Sequence, residues 1–430
     1  MILHTVRAGE TLSAVGRQYG VDPGLVARCN GLRPPYPLAV GQSLLVLIPK
    51  LLHTVRAGES LWSIAKLYGT DPLVLLRCNP NLGGLPAIYP GQVLAVAWTD
   101  EPVETAECLG YAYPTADEAT LRTILPYAAW LSPFTSGLTA SGGLLAADAD
   151  RLLALAGQYD CAALLHLSTL TESGGFSGER AAALLGDGAA QERLIGELAA
   201  QAEEKGYAGV DADFEYVGAP FARAYADFLS ALRLKLHAQG KVLFAALAPK
   251  TSADQKGLLY EGHDYALVSA AVDAVLLMTY EWGYTYGPAG PVAPADQVRR
   301  VLEYALTVMP PEKIFLGFPN YAYDWTLPYR SGESRARSLS NEEAPLLAAR
   351  VGAEIRWDGR AASPYFNYTA DGAVHEVWFE DPRSAAAKYA LVSEFGLRGV
   401  GVWNFMRPFP AAFCLLDASF RLLPGSAAAP

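Results

Sequence analysis

The run Tyr207-Ala-Gly-Val-Asp211-Ala-Asp213-Phe-Glu215-Tyr216 carries three acids at every second position of an otherwise apolar stretch. In a β-strand successive side chains point to opposite faces, so Asp211, Asp213 and Glu215 share one face. Three carboxylates buried on one face are costly unless they share protons or meet a polar ligand. Such a row marks a strand kept for its chemistry.

On either side of this strand, apolar strand-like runs alternate with helical patterns from Glu107 onward. The candidate strands are 108–113, 127–133, 162–167, 209–216, 242–248, 274–280, 314–321 and 399–404. Helical spacing falls between them at 189–205, 221–238, 295–307 and 384–394. Eight strands joined by helical crossovers predict an α/β fold, a (β/α)8 TIM barrel. The gap before the last strand is too long for one helix. Its aromatic and β-branched runs predict a small α+β insertion at about 326–382 within a barrel domain spanning 99–430. In such a barrel the site lies at the C-terminal strand ends, so Glu215 is the outermost acid of the fourth strand and Asp213 and Asp211 lie deeper. Packed carboxylates raise one another's pKa, which suits a general acid at neutral pH.

The front of the chain is an internal repeat. His4-Thr-Val-Arg-Ala-Gly-Glu10 returns as His53-Thr-Val-Arg-Ala-Gly-Glu59, and 15 of the 27 aligned positions from His4 to Asn30 are identical. Each copy reads strand, helix, helix, strand, giving two small βααβ modules over 1–49 and 50–98, followed by a short polar linker at 98–106. Asp22-Pro23 and Asp71-Pro72 have the form of an N-cap followed by proline at the first helical position. Two adjacent copies suggest binding modules used in tandem.

Of the 430 residues, 18% are charged and 51% hydrophobic, enough for a large core. No apolar run reaches the roughly 18–20 residues that span a bilayer, so membrane insertion is not expected. The net charge of −11 divides into +4 over residues 1–98 and −15 over the rest, which argues against a nucleic-acid partner for the barrel. The five cysteines lack metal-like or paired spacing. Zinc-protease, serine-hydrolase and P-loop motifs are missing, and neither a metal nor a cofactor is expected. The N-terminus lacks the basic and apolar regions of a conventional signal peptide. Asn367-Tyr-Thr369 matches a glycosylation acceptor but is not expected to be used. His166 reads as a strand residue and not as a metal ligand.

The repeated opening, the central Tyr-Gly and the closing Gly-Gln resemble the LysM module, which binds the N-acetylglucosamine backbone of peptidoglycan and chitin. The first copy has Val40 where the second has Pro90 of Pro-Gly-Gln. Most recurring positions are expected to build the module's fold, and no single sugar contact is assigned. The fourth-strand row resembles the Asp-x-x-Asp-x-Asp-x-Glu motif of glycoside hydrolase family 18, with Ala208 in place of the first acid. Met278-Thr-Tyr280-Glu281-Trp282 and Gly401-Val-Trp403-Asn404 resemble that family's sixth and eighth strand ends.

The resemblance implies substrate-assisted retention, in which the neighbouring acetamido group attacks C1. Glu215 would then be the acid and base, Asp213 the partner of the acetamido nitrogen, Tyr280 the donor to its carbonyl, and Asp211 a tuner of Asp213. Trp403 and Met278 would floor the sugar site. Tyr111, Phe134, Trp282, Tyr321 and Trp325 are candidate sugar-stacking walls, and Glu281 is either a subsite acid or a solvated loop charge.

Tandem LysM modules ahead of this barrel resemble the bacterial spore-cortex lytic N-acetylglucosaminidases. The expected partner is therefore peptidoglycan or a chitin-type glycan, at the spore coat or cortex; a cytoplasmic or wall-associated location is the alternative. A chitinase and a non-catalytic glycan-binding coat protein are the rival functions. As a tether, residues 1–98 would serve insoluble wall and leave soluble substrates unaffected.

Overall fold

The computed structural model describes residues 1–139, 141–170 and 175–425. Eight parallel strands close on themselves: β1 (Thr105–Ala112), β2 (Trp130–Pro133), β3 (Ala162–Ser168), β4 (Gly209–Asp213), β5 (Val242–Leu247), β6 (Ala274–Leu277), β7 (Ile314–Pro319) and β8 (Gly399–Trp403). Pairing of β8 with β1 completes the ring through Val400↔Cys108 and Gly401↔Leu109. The side-chain alternation of a strand separates two cores. Val210, Ala212 and Phe214 join the layer between strands and helices. The barrel interior is filled by Leu109, Trp130, Leu164, Phe244, Leu276 and Phe315.

Between β7 and β8 lies an antiparallel sheet of five strands, in the order 337–339, 322–327, 373–378, 363–370 and 356–358, with the helix Glu343–Val351 packed on it. It is the expected α+β insertion. Its first strand, Ala322–Leu327, follows β7 after only two intervening residues, so the insertion starts ahead of the expected 326.

Several sequence boundaries shift. β2 starts at Trp130 because Leu125–Tyr127 form a 3-10 turn. β4 ends at Asp213, so Glu215 stands beyond the ladder and not within it. The cause is a tertiary contact: the Phe214 carbonyl turns to His263 Nε2, 2.8 Å away, and Tyr216 adopts a φ of 57°.

Each N-terminal module folds as two antiparallel strands flanking two helices. Strand Ile2–Thr5 pairs with Ser43–Val46, and Pro49–Thr54 pairs with Val93–Trp98. The recurring polar residues serve the fold. His4 bridges Tyr19 and Glu10, both at 3.0 Å; His53 bridges Tyr68 at 3.0 Å and Glu59 at 2.7 Å. Asn30 and Asn79 tie a helix end to the returning strand through Leu45 and Ala95. Asp22 and Asp71 cap the second helices as expected, each followed by proline.

The modules are packed on the barrel. In the second, Arg77 Nε donates to Asp417 Oδ1 at 2.6 Å, and Tyr127 and Tyr159 hydroxyls donate to the carbonyls of Arg77 and Gly84. The first leans on the insertion and on the last helix, Pro410–Ser419. All five cysteines are buried and free. Among the described residues no helix is long and apolar enough to cross a membrane.

The helix Pro382–Phe395 is fixed by a fully buried pair, Lys388 Nζ to Glu380 Oε2 at 2.8 Å. Removing one partner strands a charge in a dry site, at a cost of about 3–5 kcal/mol. Lys388→Met should therefore lower the unfolding free energy sharply, and Glu380→Leu added to it should recover much of the loss in urea titrations. Equal stability of the single variant and the parent chain would show that the pair is dispensable.

Candidate active site

The C-terminal mouth of the barrel holds a cavity lined by Tyr111, Phe134, Phe176, Asp213, Glu215, Ala246, Leu276, Met278, Tyr280, Glu281 and Trp403. Residues from β1, β4, β5, β6 and β8 thus converge, as closure of the ring requires. Trp403 packs against Phe134, with ring centres 4.9 Å apart, and against Tyr111 at 5.6 Å, forming an apolar floor.

Beside this floor the carboxylates sit in largely buried surroundings. Asp211 is fully buried and accepts a hydrogen bond from Ser132 Oγ at 2.8 Å. Burial pushes its pKa up to about 6, against the opposing pull of the Ser132 and Tyr111 hydroxyls. Asp213 is 5% exposed. Burial first, then the charges of Glu215 and Asp211, hold its carboxyl well above the usual range. Burial also raises Glu215, up to about 7. Near neutrality the pair therefore holds a proton in common.

His166 supplies no compensating charge. Its Nε2 stands 3.7 Å from Asp213 Oδ2, and burial lowers its pKa to about 3, so the ring stays neutral. Its Nδ1 meets Thr135 Oγ1 at 2.6 Å. Burial and the nearby Asp213 and Glu215 charges push the Tyr280 hydroxyl well above its ordinary value, which keeps it a proton donor. An acid that keeps its proton, a second carboxyl beside it and a phenol donor can together protonate a leaving oxygen and hold an amide.

The backbone that carries Glu215 is clamped. The Ala248 N–H donates to His263 Nδ1 at 3.0 Å, so the opposite nitrogen carries the hydrogen that reaches the Phe214 carbonyl. Burial keeps His263 neutral, with its pKa lowered to about 4. His263 and Ser132 are supports that the sequence reading missed. Ser132 is a polar residue in an apolar stretch and His263 stands in a polar turn beside Glu261 and Asp264, signals too common to single out. Phe176 was missed as well, since it lies in a loop without periodicity.

Of the residues singled out in the sequence, Glu215, Asp213, Tyr280, Met278, Tyr111, Phe134, Glu281 and Trp403 line the cavity, and Asp211 lies directly behind. Tyr321 is not part of the lining. Its hydroxyl donates to Glu281 Oε1, which also accepts from Tyr323 at 3.1 Å. Trp282 and Trp325 do not reach the cavity. Trp282 packs against the outer core, and Trp325 is 1% exposed, with its indole N–H bound to the Gly287 carbonyl at 3.0 Å. Both were expected as sugar walls; the insertion's own core draws Trp325 inward, beside Tyr323 and Trp378.

The family pattern Glycosyl hydrolases family 18 matches residues 151–407, and the LysM domain pattern matches 4–46 and 53–97. The chain belongs to glycoside hydrolase family 18. The "Cortical fragment-lytic enzyme" of Bacillus subtilis (strain 168) is 38% identical, over 98% of this chain and 99% of that protein. The crystal structure of the Bacillus cereus spore cortex-lytic enzyme SleL superposes with a TM-score of 0.84 at 33% identity, covering 99% of both chains. The crystal structure of the chitinase from Chromobacterium violaceum ATCC 12472 is 27% identical over 73% of this chain and 99% of its own, with a TM-score of 0.67. The family 18 barrel makes this chain a glycoside hydrolase, and its LysM modules bind N-acetylglucosamine-containing glycan.

The raised pKa of Asp211 has a stability consequence. Its protonated form suits the fold, so its contribution is complete below about pH 4 and is lost as pH rises through about 6. Asp211→Asn should stabilise the protein by about 1–3 kcal/mol at pH 8 and by much less at pH 4, measured by chemical denaturation. A variant destabilised equally at both pH values would contradict the burial cost assigned to this carboxyl.

Proposed function

We propose that this hydrolase cleaves the β-1,4 bond after N-acetylglucosamine in spore cortex peptidoglycan or its fragments, by substrate-assisted retaining catalysis. The observation that carries this reading is the Asp213–Glu215 pair, raised in pKa and faced by Tyr280 over the Trp403 floor. Full-length similarity to the cortical fragment-lytic enzyme of Bacillus subtilis supports the substrate and a location at the spore.

Glu215 gives its proton to the glycosidic oxygen as the bond from C1 breaks. The 2-acetamido oxygen of the same sugar attacks C1 and forms an oxazolinium ion. Asp213 accepts from the acetamido N–H and offsets the developing charge, while Tyr280 donates to the acetamido oxygen. Glu215, now a carboxylate, takes a proton from water as that water attacks C1 and the acetamido group re-forms. Asp211 shapes the proton affinity of Asp213 from behind. Glu281, held by two tyrosines, lies at the edge of the same sugar site.

Glu215→Gln should fold normally and lose about two to four orders of magnitude in kcat on cortex glycan strands. Substantial residual hydrolysis would remove Glu215 from the acid role. Because the acid must start protonated and burial holds it at about 7, kcat/KM should fall as pH rises through neutrality. A profile flat from pH 6 to 9 would be incompatible with that proton.

The chitinase likeness carries a second reading, a chitin-type substrate. Mass spectrometry of products from purified cortex and from chitohexaose separates the two. Cortex cleavage leaving reducing-end N-acetylglucosamine supports the first, and activity on chitohexaose alone supports the second.

A further inference from the structure

The two LysM repeats share a closing turn whose backbone geometry is the same and whose surroundings differ. Ala39 and Tyr89 hold the same place: each N–H donates to a glutamine side chain three residues on, at 3.1 Å in both copies. Gly41 and Gly91 also correspond. Their N–H groups reach the carbonyls of Val6 and Val55 at 2.8 Å, with φ of +81° and +88°.

In the second copy this turn is open. Tyr89 is 70% exposed, and a Cβ on Gly91 would meet nothing within 4 Å. In the first copy it is closed. Ala39 is 3% exposed and belongs to the core of the α+β insertion with Leu339, Leu347, Ile355, Phe366 and Val377. A Cβ on Gly41 would lie 1.9 Å from the Ile355 carbonyl oxygen. The Ile355 N–H donates to the Val40 carbonyl at 2.9 Å, and Arg383 Nη2 donates to the Gly41 carbonyl at 3.2 Å.

We propose that the turn 39–43 of the first module is a positioning element of the catalytic cleft, joined to the insertion, while the second module keeps the corresponding turn free. The route to the cleft is continuous. Phe366 and Val377 share the core that receives Ala39. The strand Ala373–Trp378 pairs with Ala322–Leu327 through Tyr323↔Trp378. Tyr323 and the preceding Tyr321 then hold Glu281, next to Tyr280 at the cavity. On this inference, loss of the first module does more than release a tether. The inference rests on the proposed function only for its choice of substrate.

Gly41→Ala and Gly91→Ala in the full-length chain make a matched pair. Each adds one methyl group at nearly the same positive φ, so backbone strain is common to both and only the docking contact differs. With soluble cortex glycan strands, Gly41→Ala should raise KM by about three- to tenfold and change kcat less than twofold, through misplacement of the cleft wall. Hydrogen exchange should quicken across residues 363–378 in that variant alone. Gly91→Ala should leave both readouts at the parent values. Should Gly41→Ala fail to fold, Ala39→Thr against Tyr89→Thr repeats the comparison. Matched effects in both members of a pair, or no effect in either, would overturn the proposal. Inactivity of the parent chain on these strands would count against the proposed function, and the exchange measurement would still decide the joint.

Discussion

Two carboxyl groups, Asp213 and Glu215, are held together at the mouth of a barrel whose described cavity lining contains no lysine or arginine. Without a cation, their only inexpensive state is a partly protonated one. The surroundings enforce this condition: an aromatic floor keeps water away, His166 stays neutral, and Asp211 adds a third acid from behind. Burial is the largest of these effects, and it maintains the proton store that glycosidic bond cleavage requires.

The rest of the fold makes this costly arrangement tolerable. Alternation along β4 sends Val210 and Ala212 into the layer beneath the helices, so apolar burial on one face offsets carboxylate burial on the other. The exit of the strand is fixed by His263, which joins the ends of β4 and β5 through two main-chain hydrogen bonds. Glu215 is thereby placed by backbone geometry before any side chain chooses a rotamer.

Much of this was legible in the residues. The period-two acids, the alternation of strands with helices and the 49-residue offset are regularities that sequence displays directly. What stayed hidden depended on tertiary competition. The ladder stops at Asp213 because the Phe214 carbonyl finds a partner 49 residues away, which no local pattern reveals. Trp325 and Trp282 looked like exposed sugar walls because an aromatic residue reads the same whether it faces solvent or a neighbouring core. The recurring His, Glu and Tyr of the modules, by contrast, were expected to build the fold, and they form internal bonds, repeated because the same small fold is built twice.

Only a few residues separate the second module's last strand, which ends at Trp98, from β1, which begins at Thr105, and Arg77 locks that module to Asp417. A flexible leash would let an active site sweep a wide volume around its anchor. A rigidly docked anchor allows no such search. The bonds within range of a bound molecule lie at a set distance from the strand it grips, so progress along a glycan sheet requires release and rebinding. Residence time on the surface then limits how much ground one molecule covers.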